Sequence, residues 1–254
     1  MPVPRLVGLD AGPASLTVVR HGESVANLAD AEAHRQQADR LEIDVRDADV
    51  KLSDTGRQQA DALRSWLEDA AEDQRPTLVV SSPYRRAADT ALRAVDGLGV
   101  EVAFDERLRE RDLGLFNGLT GRGIRAEYAD EAERRRKVGK FYYQPPNGES
   151  WADVVLRVRS LLADLRTGFE DARVWMFTHQ AVIMSIRYVL DGLSEDQLME
   201  IDRTSRVGNA SLTTYRRPKG VLELEAFGDT SIVDARATEV TAEPSAREVS
   251  AADA

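Results

Sequence analysis

The chain contains no cysteine, which removes disulfides, a thiolate nucleophile and any cysteine-based zinc site from consideration. Histidine is almost as scarce, with three residues, His21, His34 and His179. No apolar stretch approaches the length needed to span a membrane. The N-terminal MPVPRLVGLDAGPAS lacks the charged start and unbroken apolar run of a secretory signal. Positive charge is also in deficit, with 34 Lys and Arg against 44 Asp and Glu and a formal charge of −10. That balance argues against a nucleic-acid or membrane partner. A cytoplasmic protein is expected, and any anion site must be a local gathering of Arg, Lys and His.

With 254 residues, 42% of them apolar, the chain can bury one large core, and one domain over 1–228 is expected. Three short apolar runs end in conspicuous polar residues. Leu16 to Val19 stops at Arg20, His21 and Gly22; Thr77 to Ser81 stops at Ser82 and leads through Pro83 and Tyr84 to Arg85 and Arg86; Val174 to Phe177 stops at Thr178 and His179. Runs of this kind suit strands buried on both faces. Between them lie helical patterns. Ala60, Leu63, Trp66, Leu67 and Ala70 recur at helical spacing, as do Ala87, Ala88, Ala91, Leu92 and Val95. Ser150 with Asp153 forms a capping box before an amphipathic helix carrying Val154, Val158, Leu161 and Leu165. The apolar run from Ala181 to Leu190 reads as a buried helix.

Strands alternating with helices predict a parallel sheet covered on both sides, an α/β/α arrangement whose ligands gather at the carboxyl ends of the strands. Arg20, His21, Arg86 and His179 could meet there. Other segments are less regular. Residues 28–50 form a charged, partly helical excursion, readable as a lid or as a solvated insertion, with His34 in solvent. Val100 to Phe104 suits an edge strand, residues 122–140 one or two charged helices, and 210–216 with 221–227 a hairpin. The tail, 229–254, has little to bury and is expected to be disordered. Ser24 could touch an anion or cap the helix after it.

Six ordered blocks carry a resemblance: RHGES at 20–24 with Asn27, LSDTGRQQA at 52–60, SSPYRRAADTA at 81–91, LRERDLGLFNGLT at 108–120, GESWADVVLRV at 148–158 and THQAVI at 178–183. Across 16–228 the chain resembles the histidine phosphatase, or phosphoglycerate mutase-like, superfamily. The resemblance implies a three-layer α/β/α sandwich with a mostly parallel sheet. It implies a phosphohistidine intermediate on His21, with Arg20, Arg86, His179 and Asn27 around the phosphate. Glu110 would be the proton donor and acceptor, partly buried with a raised pKa.

A small phosphorylated metabolite is the implied partner, with no cofactor and no metal. Stretches 132–158 and 178–190 look most like the bisphosphatase domain of the fructose-2,6-bisphosphate enzymes, which favours a phosphatase over a mutase. That alignment would put Arg136, Lys140, Tyr143 and Gln180 against the far end of the substrate. The departures at Met184, where an arginine is expected, and Pro145, where a tyrosine is expected, tell against fructose-2,6-bisphosphate itself. A metal-dependent hydrolase using His21, His179 and Glu110 as ligands, and a noncatalytic phospho-ligand binder, are the readings from other classes.

Overall fold

The protein was analysed as a computed structural model, which describes residues 12–236 and 239–242. In chain order the elements are β1 (Ser15–Arg20), α1 (Val25–Arg35), α2 (Asp54–Asp69), β2 (Leu78–Ser81), α3 (Arg85–Ala94) and β3 (Val102–Phe104). Next come α4 (Gly121–Glu127), α5 (Ala129–Val138), α6 (Trp151–Gly168), β4 (Arg173–Thr178), α7 (Gln180–Asp191) and α8 (Glu195–Thr204). The last are β5 (Leu212–Arg216), β6 (Glu223–Asp229) and α9 (Ser231–Ala235). The strands form one sheet in the order β3-β2-β4-β1-β5-β6. The four strands from β3 to β1 are mutually parallel, and β5 and β6 add on as an antiparallel hairpin.

Alternation along the central strands sorts the core into two layers. Leu16 and Val18 of β1, with Val174 and Met176 of β4, pack against Val154, Val158, Leu161 and Leu165 of α6 and Val182, Ile183 and Ile186 of α7. Val19, Trp175 and Phe177 face the other way, against Leu63 and Leu67 of α2, Ala91 and Ala94 of α3, and Ile232 and Val233 of α9. Because successive strand side chains point to opposite faces, strands with apolar residues at both parities require helices on both sides. The result is the expected three-layer α/β/α sandwich.

Three sequence expectations are corrected. α8 has no counterpart in the sequence reading; its apolar face is short, with Leu198 buried and Met199 and Ile201 partly buried beside it. The segment from 229 is not structureless, because β6 runs to Asp229 and α9 buries Ile232 and Val233. Farther on, the Glu239 carbonyl accepts from Gln59 Nε2 at 2.8 Å; positions 237–238 and 243–254 lie outside the described residues. The irregular leader expected over 1–15 lies largely outside them too, and its last residue, Ser15, already belongs to β1. Among the described residues no helix is long and apolar enough to cross a membrane.

Candidate active site

The carboxyl ends of three adjacent strands bring the polar run-ends together. His21 N donates to Thr178 O at 2.9 Å and Ser82 N to Phe177 O at 2.9 Å, so the residues after β1, β2 and β4 stay in register. The chain must then turn away from β1 without filling the space. Gly22 does so, because a Cβ there would lie 2.5 Å from Gly56 O; a Cβ on Gly56 would lie 1.9 Å from Glu23 O. The first turn of α2 therefore packs backbone to backbone against the loop holding His21. Thr90 of α3 ties in the third element, with its hydroxyl donating to Arg86 O at 2.6 Å and accepting from Gly22 N at 3.0 Å.

Arg20, His21, Arg86 and His179 are all buried, at 1%, 3%, 5% and 0% exposure. The rings of His21 and His179 stand 5.1 Å apart, centroid to centroid. His21 Nδ1 lies 2.7 Å from Gly22 O. A carbonyl can only accept, so Nδ1 carries the proton and the lone pair sits on Nε2. Burial, reinforced by the positive charges of Arg86 and Arg20, holds the His21 pKa well below its ordinary value, keeping the ring neutral.

His179 stands at the N-cap of α7, with Nε2 2.9 Å from Ser82 Oγ. Ser82 Oγ already accepts from Tyr84 N at 3.2 Å, so its own proton is best directed to Nε2. Nδ1 of His179 then carries a proton that no described residue accepts. Burial and the charge of Arg86 likewise hold this histidine neutral. The centre thus pairs a ring presenting a lone pair with a ring presenting an N–H.

The two arginines are held differently. Arg20 donates from Nη1 to Val207 O at 2.5 Å. Arg86, in the first turn of α3, pairs with Asp47 of the 28–50 excursion. A cavity of about 490 Å³ opens over the centre, lined by His21, Asn27, Asp47, Arg86, Glu110 and Gln180 among others. Glu110 is half-buried in its wall, and its Oε1 accepts from Arg111 N at 2.8 Å. Asn27 and Ser24 form a capping box at the start of α1, so Ser24 is used as a cap. Among the described residues no three His, Cys, Asp or Glu side chains form a group that could hold a metal ion.

Three of the residues expected at the far end of the pocket do not line this cavity. Arg136 and Lys140 do not share a helix face, because α5 ends at Val138 and Gly139 takes φ 87°. Arg136 points into solvent and pairs with Glu133. Lys140 stands behind the wall, paired with Asp202 and 5.9 Å over the Trp151 ring; Asp202 and Trp151 are the lining residues. Tyr143 is buried, donates to Glu131 Oε2 at 2.8 Å, and lines a second cavity of about 310 Å³. Only Gln180 of the four faces the main cavity.

Sequence reasoning missed Asp47, Asn209 and the part played by Ser82. Asn209 Nδ2 donates to His21 O at 3.2 Å and lies 3.4 Å from Asn27 Oδ1. No local pattern marks an asparagine 188 positions from its partner.

Residues 16–230 match the family model described as histidine phosphatase superfamily (branch 1). The chain is 31% identical over 228 residues to a glucosyl-3-phosphoglycerate phosphatase of Mycolicibacterium vanbaalenii, covering 84% of this chain and 89% of that one. It is 31% identical over 194 residues to a bifunctional protein of Mycobacterium tuberculosis, covering 74% of this chain and 47% of that one, so it spans about half that relative's length. A solved structure of mycobacterial glucosyl-3-phosphoglycerate phosphatase complexed with VO3 superposes with a TM-score of 0.67 at 29% identity, covering 85% of this chain and 100% of the other. The chain belongs to the histidine phosphatase superfamily, branch 1.

Proposed function

We propose that the protein is a phosphomonoesterase that hydrolyses a small phosphorylated metabolite through a phosphohistidine on His21, without a metal. The observation that carries this reading is the His21 ring, buried, neutral and held by the Gly22 carbonyl so that Nε2 bears the lone pair. A neutral imidazole is a competent nucleophile, and phosphoryl transfer otherwise needs in-line placement and positive charge on the equatorial oxygens. Arg20, Arg86 and the His179 Nδ1–H supply donors on those oxygens, and Asn27 stands in the same wall.

In the first step His21 Nε2 bonds to phosphorus as the ester P–O bond breaks, and Glu110 gives its proton to the departing alcohol oxygen. In the second step Glu110 takes a proton from water, whose oxygen attacks phosphorus. The P–N bond breaks and orthophosphate leaves. A cavity of about 490 Å³ suits a metabolite-sized ligand. The same reading places the protein in the cytoplasm with its metabolite.

The test is brief mixing with ³²P-labelled phosphomonoester in EDTA. The expected outcome is an acid-labile, base-stable label that His21→Ala abolishes together with turnover. Label on a serine or on His179, or activity that needs added Zn²⁺ or Mg²⁺, refutes the mechanism.

A further inference from the structure

The pairing of Arg86 with Asp47 is unexpected at a phosphate site. Arg86 Nη1 donates to Asp47 Oδ1 at 2.8 Å and to the Asp47 carbonyl at 2.7 Å, while Nη2 lies 3.3 Å from Oδ2. Two carboxylate oxygens therefore meet the two terminal nitrogens of the guanidinium, the fork geometry with which arginine also takes two oxygens of a phosphate. Both residues line the cavity over His21. Asp47 comes from outside the core, in a single 3₁₀ turn, Asp47–Asp49, that contains no buried residue.

Resting on the phosphatase reading above, we propose that Asp47 is a specificity-determining residue that competes with the phosphate group for Arg86. Its carboxylate holds nitrogens that a phosphate would take, and at that distance a phosphate dianion and a carboxylate repel each other. A phosphate can claim the full fork only by displacing Asp47. Free orthophosphate brings only its own charge to that exchange. A phosphoester also brings contacts between its alcohol portion and the other walls of the cavity, where Leu41, Trp151 and Gln180 stand. Asp47 thus selects against bare phosphate, the product of the reaction, in favour of esters large enough to reach those walls.

The turn that carries Asp47 is anchored on both sides and partly exposed between. Leu41 N donates to Gly118 O at 2.9 Å, and Arg40 bridges to Leu119, fixing the excursion before the turn. Val50, 1% exposed, fixes it after. Between these anchors the Arg46–Asp49 pair on the surface holds the turn together. The Asp47 side chain remains 33% exposed, which leaves it water to move into.

The experiment measures orthophosphate binding by titration calorimetry, and orthophosphate inhibition of p-nitrophenyl phosphate turnover, in the parent, Asp47→Asn and Asp47→Ala. Competition predicts that removing the charge tightens orthophosphate binding by about tenfold, about 1.4 kcal/mol. The inhibition constant should fall by a similar factor, with Asp47→Asn matching Asp47→Ala. If Asp47 instead positions Arg86, binding weakens in Asp47→Ala and Asp47→Asn restores part of it, which overturns the proposal. Unchanged affinity in both variants overturns it too, as does failure of all three proteins to bind orthophosphate. Orthophosphate binding without turnover counts against the phosphatase reading alone, because the comparison of binding constants still decides what Asp47 does. Melting curves of the isosteric Asp47→Asn variant verify that the fold is kept.

Discussion

Acidification should destabilise this protein through its two buried histidines, His21 and His179, before the carboxylates titrate. Both His21 and His179 have native pKa values well below the ordinary 6.5, chiefly because burial disfavours the charged ring. The unfolded chain therefore binds more protons than the native one as the pH drops through about 6.5, and stability falls with pH. The contribution is complete above the unfolded pKa and declines below it, toward the depressed native values. From about pH 7.5 to about pH 5.5 one such histidine removes about 1.4 kcal/mol, and two remove about 2.7 kcal/mol. For a domain of this size that lowers the melting temperature by about 5–11 °C. Urea unfolding at several pH values measures it directly. The buffers must lack phosphate, because a bound dianion favours the imidazolium and flattens the dependence. His21→Ala and His179→Ala should each remove about half of the slope, whatever they do to absolute stability. A slope that survives both substitutions, or stability that rises on acidification, refutes the account.

Ser82→Ala leaves both nitrogens of a fully buried His179 without a hydrogen-bond partner among the described residues; a cost of about 1–3 kcal/mol follows, and kcat/KM for p-nitrophenyl phosphate should drop as the ring loses its fixed tautomer. Unchanged melting and unchanged turnover would remove Ser82 from this role. Gly56→Ala drives a Cβ to 1.9 Å from Glu23 O, with backbone on both sides and no side chain able to yield. A loss of roughly 3 kcal/mol or more is expected from such overpacking, together with loss of activity, and a crystal structure of the variant should show the 22–24 loop shifted; native-like melting and turnover contradict the close approach.

The legible parts of the site were those written in local pattern. β1, β2 and β4 are buried on both faces, so each is a short apolar run, and the residue that breaks each run is by construction at the strand's carboxyl end. That pattern places Arg20, His21 and His179 together, with Arg86 one helical turn past the end of the second run. The capping box at Ser150 and the buried α7 were legible for the same reason. What escaped depends on partners far away in the chain. The tail is poor in apolar residues, yet Ile232 and Val233 fill the groove beside α2, and Arg236 Nε donates to Ala62 O at 3.2 Å. Composition registers how little there is to bury, not whether a pair of residues finds a ready groove. Arg136 and Lys140, which the resemblance sets together against the substrate's far end, part because Gly139 ends α5 between them. Asp47 carries no mark of its own in the excursion; its meaning comes wholly from Arg86, 39 positions later.

The histidine near the start of the chain is completed by residues made close to the end of the described sequence. The His21 carbonyl accepts from Ala210 N and from Asn209 Nδ2, both at 3.2 Å. Asn209 N is in turn anchored to Thr241 O at 2.7 Å, and Thr241 Oγ1 bonds Gln59, which holds Glu23 N. On the ribosome the whole RHG loop emerges early, but its carbonyl and its flanking arginine wait for 207–211, and the clamp on Gln59 waits for 239–241. The hydrogen bonds around His21 are therefore complete only once the chain through Thr241 has emerged and folded.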